Sequence, residues 1–197
     1  MIETISFGAS TAAGSKDSGG GGFIGRLGSR LESLNIGRSR NCGIGGQNTH
    51  QMVARLQEIS NLQKLNIVII SLGINDVARE GDANPTKRVS LDQHEMNVGE
   101  IVRYFKERCR TYYTSQYPVS YLEKGLDADT VSDYVHCGLS VARKLNAETI
   151  DIHSLIDDSL FTQFIHEDGM HFNSEGHTFI ADQIWNRLVD DGIIPKQ

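Results

Sequence analysis

The 197-residue chain contains no apolar run that approaches the ~20 residues of a membrane-spanning helix, which predicts a protein without a membrane span. Its first residues lack the positive start and the long apolar stretch of a signal peptide. Lys and Arg (19) are fewer than Asp and Glu (25), and the resulting net charge of −6 argues against nucleic acid as a partner. The apolar fraction of 39% is that of an ordinary globular protein, and the length predicts one domain over residues 1–197.

Cysteine is scarce as well. The three cysteines are odd in number and far apart, at Cys42, Cys109 and Cys137, a pattern that fits neither a disulfide framework nor a zinc site. We therefore expect a reducing compartment and a cytoplasmic location.

Two motifs of other protein classes are absent. The glycine run at residues 14–22 lacks both the Walker spacing and a Gly-x-Gly-x-x-Gly helix entry, so we interpret it as a flexible loop rather than a phosphate cradle. The Gly-x-Ser-x-Gly elbow is also missing, which argues against the α/β-hydrolase class.

Strand-like and helix-like segments alternate along the chain. The clearest strand covers residues 67–70, an unbroken β-branched run typical of a central parallel strand that is covered on both faces. The other predicted strands cover residues 4–8, 35–42, 110–115 and 148–152. This alternation predicts a five-stranded parallel sheet between two helical layers, a three-layer α/β/α sandwich that binds ligands beyond the carboxyl ends of its strands.

Helix-forming patterns separate these strands. Apolar residues recur at helical spacing after Phe23, from Thr49 to Ile59, and after a capping Ser90. A further helix is predicted over residues 127–145. The last helix has Asn173 or Ser174 as its cap and Gly192 beyond its end.

Polar and glycine residues follow three of the predicted strands and precede the last helix. The four segments are Gly8-Ala9-Ser10-Thr11, residues 41–46, Gly73-Ile74-Asn75-Asp76 and Asp168-Gly169-Met170-His171. Each segment alone is more typical of a turn or a helix cap. Together, at one sheet edge, they would supply a hydroxyl nucleophile, a base, a group that orients the base, and donors for an oxyanion.

These four segments, in this order across nearly the whole chain, resemble the signature blocks of the GDSL or SGNH hydrolases. The resemblance implies a flavodoxin-like fold and an esterase that needs neither a cofactor nor a metal. Ser10 would be the nucleophile, His171 the general base, and Asp168 the residue that orients His171. Gly176-His177 also resembles a small motif that often follows the last block.

The resemblance also implies an oxyanion hole. Its donors would be the backbone N–H groups of Ser10 and Gly46 and the side-chain amide of Asn75, with Gly43 as the fallback for Gly46. Alternatively, His166, His171, His177 and Asp168 would bind a metal, but their spacing matches no common zinc pattern.

Two positions depart from the family pattern. Ala9 stands where the family usually has Asp, and Phe172 where it usually has Pro. The usual Asp organises the nucleophile loop, so its absence puts the rigidity of that loop in doubt. Ala9 is also the reason to consider an alternative, an inactive binding domain that keeps the fold.

The substrate is less defined than the chemistry. No long apolar stretch near the motifs indicates a lipid tunnel, so we expect an ester of a small acyl group such as acetyl on a polar or carbohydrate-like molecule. A lipase or thioesterase for longer chains is the alternative. Two long loops, residues 77–89 and 116–127, would overhang the site. We expect the first to be a solvated charged loop; the alternative is a functional loop, in which Arg79 would meet an anionic or hydroxyl-rich substrate. The oligomeric state is left open.

Overall fold

Five strands form a parallel sheet in the computed structural model, which describes residues 1–59, 65–78, 89–119 and 126–196. The strands are β1 (Ile2–Gly8), β2 (Gly37–Gly43), β3 (Ile67–Ser71), β4 (Arg110–Thr114) and β5 (Glu148–Ile150). Their order across the sheet, β2-β1-β3-β4-β5, is the flavodoxin-like one. All residues of β3 are buried, as expected for a central strand.

Helices cover both faces of this sheet, which confirms the α/β/α sandwich. The long helices are α2 (Gly22–Ser33), α6 (Leu91–Lys106), α7 (Ala128–Lys144) and α10 (Ser174–Asp190). The short ones are α1 (Ser10–Ala13), α3 (Thr49–Ala54), α4 (Leu56–Ile59), α5 (Ile74–Val77), α8 (Ile152–Leu155) and α9 (Asp158–Phe164). Helices α2 and α10 pack together on one side, and α3, α6 and α7 pack on the other.

The sheet register brings the ends of three strands level with one another. Gly8 lies opposite Gly43 on one side and opposite Ser71 on the other. A Cβ atom at Gly8 would lie 1.7 Å from the carbonyl oxygen of Ser71, so only glycine allows β1 and β3 to approach this closely. The segments that follow β1, β2 and β3 therefore start from the same edge of the sheet.

Helix boundaries mostly follow the sequence signals. The Ser90 side chain caps α6 by accepting from the N–H of Gln93, and Asn173, not Ser174, caps α10 by accepting from the N–H of Gly176. The predicted 49–59 helix is split, because α3 ends before Arg55 and α4 starts after it. The short helices α1, α5, α8 and α9 had no clear periodic signal in the sequence.

Two further expectations concern membranes and cysteines. Within the described ranges, no helix is long and apolar enough to cross a bilayer. The thiols of Cys42, Cys109 and Cys137 are all free.

Candidate active site

Asp168 and His171 form a hydrogen-bonded pair in the loop over residues 165–172, just before α10. The Nδ1–H of His171 donates to Oδ2 of Asp168 at 2.9 Å. The other carboxylate oxygen, Oδ1, accepts from the backbone N–H groups of Met170 and His171, both at 3.0 Å. Both carboxylate oxygens of Asp168 therefore accept hydrogen bonds, and these bonds fix the orientation of the His171 ring.

This arrangement sets the charge of Asp168 and the tautomer of His171. Burial acts to raise the pKa of Asp168, but the hydrogen bonds from His171 and Met170 outweigh it and lower the pKa to about 2. Asp168 is therefore an anion at neutral pH and accepts the Nδ1 proton of His171. Neutral His171 consequently carries its lone pair on Nε2, which makes no hydrogen bond within the described residues.

A tyrosine after β4 holds the 165–172 loop from outside. The hydroxyl of Tyr117 donates to the carbonyl oxygen of Met170, and the centroids of the Tyr117 and Phe172 rings are 4.1 Å apart. Phe172, where the family usually has Pro, is 2% exposed and also pairs with Ile165 across the loop. Tyr117 is a supporting residue that no sequence pattern indicated, because its partner lies 53 positions away.

His166 does not lie ready to bind a metal together with His171 and His177. Its Nδ1 accepts a hydrogen bond from the backbone N–H of Asp168 at 3.2 Å. The Nε2 of His177 lies 3.4 Å from the carbonyl oxygen of Ser15, and its Nδ1 is buried without a partner. Each of the three rings therefore has a different environment.

Ser10 is the first residue of α1 and follows the end of β1 by two positions. It is 5% exposed, and its Oγ makes no hydrogen bond within the described residues, so none joins it to Nε2 of His171. Such a bond is often long in a free enzyme and tightens when substrate binds. The segment after Ser10 does reach the start of α10, since Ser15 contacts His177.

Asp17 makes the connection between this segment and α10 tighter. Its carboxylate accepts from the guanidinium of Arg26, from the hydroxyl of Ser174 and from the backbone N–H groups of Gly19 and Gly22. The hydrogen bonds from Arg26 hold the pKa of Asp17 far below its usual range, although burial opposes them. The 14–22 run, which we expected to be a flexible loop, is folded around this carboxylate.

Ala9 leaves α1 without a side-chain cap. The Ala9 carbonyl accepts from the N–H of Ala13, but no side chain reaches the free N–H groups at the start of the helix. An Asp at this position is a residue type that caps such groups. The departure therefore affects how α1 is held and removes no group that bonds to His171.

The loop over residues 44–48, after β2, contains Gly46. Gly46 has a φ of +79°, and a Cβ atom there would find nothing within 4 Å, so this glycine borders open space. Gly43 is placed differently, because its N–H donates to Oδ1 of Asn41 at 2.9 Å. The side-chain amide of Asn75 donates one proton to the carbonyl of Gln47 at 2.9 Å and keeps a second proton.

Asp76, the neighbour of Asn75, lies in a buried polar network. Its carboxylate accepts from the N–H and the hydroxyl of Thr49, both at 2.7 Å, and lies 2.5 Å from Nδ1 of His94. Asn97 donates to the same Thr49 hydroxyl at 2.9 Å. Asp76 and His94 are both fully buried, and Nε2 of His94 has no partner. This network joins the start of α3 to α5 and α6.

Arg79 falls outside the described residues, as does most of the 77–89 loop. Phe164 is buried and stacks on Phe179 of α10, with 4.9 Å between ring centroids, so it packs α9 against α10.

A parallel α/β/α sheet with a serine, an Asp–His pair and an asparagine amide in the segments around its strand ends is typical of hydrolases that use a serine on acyl groups. The chain belongs to the GDSL-like Lipase/Acylhydrolase family, whose model matches residues 6–179. This match confirms the resemblance that the four motifs indicated. The family description names lipases and acylhydrolases.

Similar proteins include esterases of acetyl compounds. The isoamyl acetate-hydrolyzing esterase 1 homolog of Homo sapiens is 25% identical over 165 residues, which are 74% of this chain and 66% of that protein. The lipase/acylhydrolase from Enterococcus faecalis superposes with a TM-score of 0.81 at 19% identity, over 100% of both chains. The acetylxylan esterase from Geobacillus stearothermophilus gives 0.80 at 21% identity, over 95% of this chain and 94% of that one.

Proposed function

We propose that this protein is a carboxylic ester hydrolase in which Ser10 forms an acyl-enzyme. Nε2 of His171 takes the Ser10 Oγ proton as Oγ bonds to the ester carbonyl carbon, and Asp168 stabilises the imidazolium that results. The bond between the carbonyl carbon and the alcohol oxygen then breaks, His171 gives its proton to that oxygen, and the alcohol leaves. Water then attacks the acyl-enzyme, again with His171 as base, and the acid is released.

The tetrahedral oxyanion would be held by the backbone N–H groups of Ser10 and Gly46 and by the second amide proton of Asn75. The open space at Gly46 favours it over Gly43, whose N–H is already bonded to Asn41. Loss of one such donor typically removes ~2.7–4 kcal/mol of transition-state stabilisation.

The single observation that carries the proposal is the Asp168–His171 hydrogen bond. It fixes the tautomer in which Nε2 is free to accept a proton. The contact of Ser15 with His177, which links the segment after Ser10 to the helix after His171, supports the pairing with Ser10. An inactive binding domain needs no such pair, so the pair argues for turnover despite Ala9.

The acyl group that we propose is acetyl. One relative is named for isoamyl acetate and one structural neighbour for acetyl xylan, so they share the acid and differ in the alcohol. The alcohol part of the substrate, which we expect to be polar or carbohydrate-like, therefore stays an expectation. We also keep as proposals one domain over residues 1–197 and a cytoplasmic location, which three free thiols favour.

The mechanism is tested with Ser10→Ala and His171→Ala, assayed on an aryl acetate. We expect turnover to fall by about 10⁴-fold or more in each folded variant. Ser33→Ala and His50→Ala, which change an exposed serine and an exposed histidine, are the matched controls and keep wild-type turnover. Near-normal turnover in a folded Ser10 or His171 variant contradicts the mechanism.

Two further measurements separate the alternatives. A fluorophosphonate probe labels Ser10 of an active enzyme, whereas an inactive binding domain stays unlabelled. Aryl esters of increasing acyl length, compared by kcat/KM, are expected to show an optimum at acetyl, and an optimum at long chains would favour the lipase or thioesterase alternative. Acetylated xylooligosaccharides and isoamyl acetate, assayed side by side, then compare the two alcohols.

A further inference from the structure

A buried arginine lies between the end of β1 and the 44–48 loop. Arg55 is 5% exposed. Its Nε donates to Oε1 of Gln47 at 2.6 Å, and its Nη2 donates to the carbonyl oxygen of Gly8 at 3.1 Å. Gly8 precedes Ser10 by two residues, and Gln47 directly follows Gly46. The guanidinium therefore bridges the two backbone segments that carry two of the proposed oxyanion donors.

Arg55 carries its charge without an anionic partner. In the part of the chain that the structure describes, Arg55 forms no ion pair with Asp or Glu, and its Cζ lies 4.2 Å from the centroid of the Phe7 ring. Burial lowers the pKa of Arg55, against weaker opposing effects of Cys42 and Glu58. An arginine nevertheless stays protonated in proteins, so the charge persists at neutral pH.

A purely structural role does not require this charge. An apolar side chain of similar size would pack on Phe7 without the desolvation cost of a buried cation, and such replacements are often neutral or stabilising. A buried cation without a partner becomes useful if an anion appears beside it. The oxyanion of the tetrahedral intermediate is such an anion, and it exists only during the reaction.

We propose that Arg55 is a positioning residue whose unpaired charge strengthens the oxyanion hole. It fixes the carbonyl of Gly8 and the side chain of Gln47, and with them the approach of the Ser10 and Gly46 N–H groups. Its positive charge is stabilised by the negative charge of the intermediate more than by a neutral bound ester, so it contributes to kcat more than to KM. This inference rests on the proposed function.

The test compares Arg55→Met and Arg55→Gln, which remove the charge, with Arg55→Lys, which keeps it. Arg110→Met is the control, because Arg110 begins β4 at the other end of the sheet and is paired with Asp191. Each variant is measured for kcat and KM on an aryl acetate, for the affinity of an alkylboronic acid, and for urea unfolding. The boronic acid forms an anionic tetrahedral adduct with a reactive serine and so mimics the intermediate.

We expect the neutral variants to lower kcat by about 10- to 100-fold with KM changed less than about threefold. Boronic acid affinity falls by the same factor, and the unfolding midpoint stays the same or rises. Arg55→Lys recovers part of both losses, and Arg110→Met loses neither kcat nor boronic acid affinity. If Arg55→Met does not fold, Arg55→Gln decides by the same measurements.

Wild-type kcat in a folded neutral variant overturns the inference. So does a loss of kcat that boronic acid affinity does not follow, because that result shows that Arg55 does not act by stabilising the anionic intermediate. Failure of the proposed function is recognised separately in the wild-type protein, which would then neither hydrolyse the aryl acetate nor take up a fluorophosphonate at Ser10, and the inference would fall with it.

Discussion

The loop with Asp168 and His171 is held largely by bonds between near neighbours, whereas the segments with Gly46 and Asn75 are held by contacts between residues far apart in the sequence. Asp168 accepts all its bonds from residues within three positions. Thr49 and Asp76, by contrast, are 27 positions apart. The first arrangement is mostly one short loop, and the second is a buried junction of three elements.

The difference matters for what a substitution does. A short loop that bonds to itself can lose one side-chain oxygen and keep its shape, so a change there affects chemistry first. A buried network leaves donors without acceptors when one member is removed, and this costs folding free energy as well. We therefore expect activity and stability to separate on the Asp168 side and to fall together on the Asp76 side.

The largest effect is expected for Asp168→Asn. The amide is neutral, and it offers His171 one acceptor oxygen instead of an anion, so the imidazolium loses its counter-charge. We expect kcat to fall by about 10³- to 10⁴-fold, with a change in unfolding free energy at pH 7 of no more than about 1 kcal/mol. Asp157→Asn is the control, because Asp157 also accepts local N–H groups, at the start of α9, and faces no histidine. If Asp168→Asn unfolded at a much lower urea concentration than wild type, this would contradict the proposed separation of activity from stability.

Asp76→Asn follows, with effects on both quantities. Its carboxylate accepts from Thr49 twice and from Nδ1 of His94, and an amide cannot satisfy all three donors. We expect a loss of about 2–4 kcal/mol in unfolding free energy and of about 10²-fold in kcat. Asp191→Asn, at the end of α10, removes an acceptor of the Tyr112 hydroxyl and should lower stability and leave kcat unchanged. Full kcat in folded Asp76→Asn would show that Asn75 is placed without this network.

The same contrast explains what could be predicted from the sequence. The sheet, its long helices and the positions of Ser10, Asp168 and His171 follow from periodicity and from motifs within a few residues. Asp168 and His171 are only three positions apart, and in the structure they form a hydrogen bond. Their catalytic roles stay predictions.

The residues that support these motifs could not be predicted in the same way. His94 lies on α6 and Arg55 lies between α3 and α4, and a polar residue at such positions usually faces solvent. Both are buried, His94 beside Asp76 of α5 and Arg55 beside Phe7 and Gly8 at the end of β1. Tyr117 could not be predicted either, since nothing within ten residues indicates its bond to Met170. Tertiary packing determines these contacts, and a single sequence does not show which distant residues pack together.

Tyr117→Phe tests the long-range contact on the Asp168 side. It removes the hydroxyl bond to Met170 and keeps the ring that packs on Phe172. We expect kcat to fall by about tenfold, and unfolding free energy to fall by about 1 kcal/mol. The control is Tyr112→Phe, within β4 itself, because the Tyr112 hydroxyl bonds to Asp191 instead and its loss should change stability alone. Equal kcat in the two variants would mean that the loop keeps its own shape.

Asp17→Asn is expected to have the smallest effect, and it appears in acid. The folded-state pKa of Asp17 lies below that of the unfolded chain, mainly because Arg26 bonds to it. Its ionised form therefore stabilises the fold above about pH 4, and this contribution is lost as the pH falls. Between pH 5 and pH 3 wild type should lose about 1 kcal/mol more unfolding free energy than Asp17→Asn.

Urea unfolding at the two pH values measures this difference, with Asp182→Asn as the control, since Asp182 is an exposed carboxylate paired with Arg30 of α2. At pH 7 the Asp17→Asn variant should also lose about threefold in kcat, because Asp17 joins the segment after Ser10 to Ser174, three residues beyond His171. An equal loss of stability in acid for wild type and Asp17→Asn would mean that this carboxylate is not held as an anion. Unchanged kcat at pH 7 would mean that the 14–22 segment folds beside the site without positioning it.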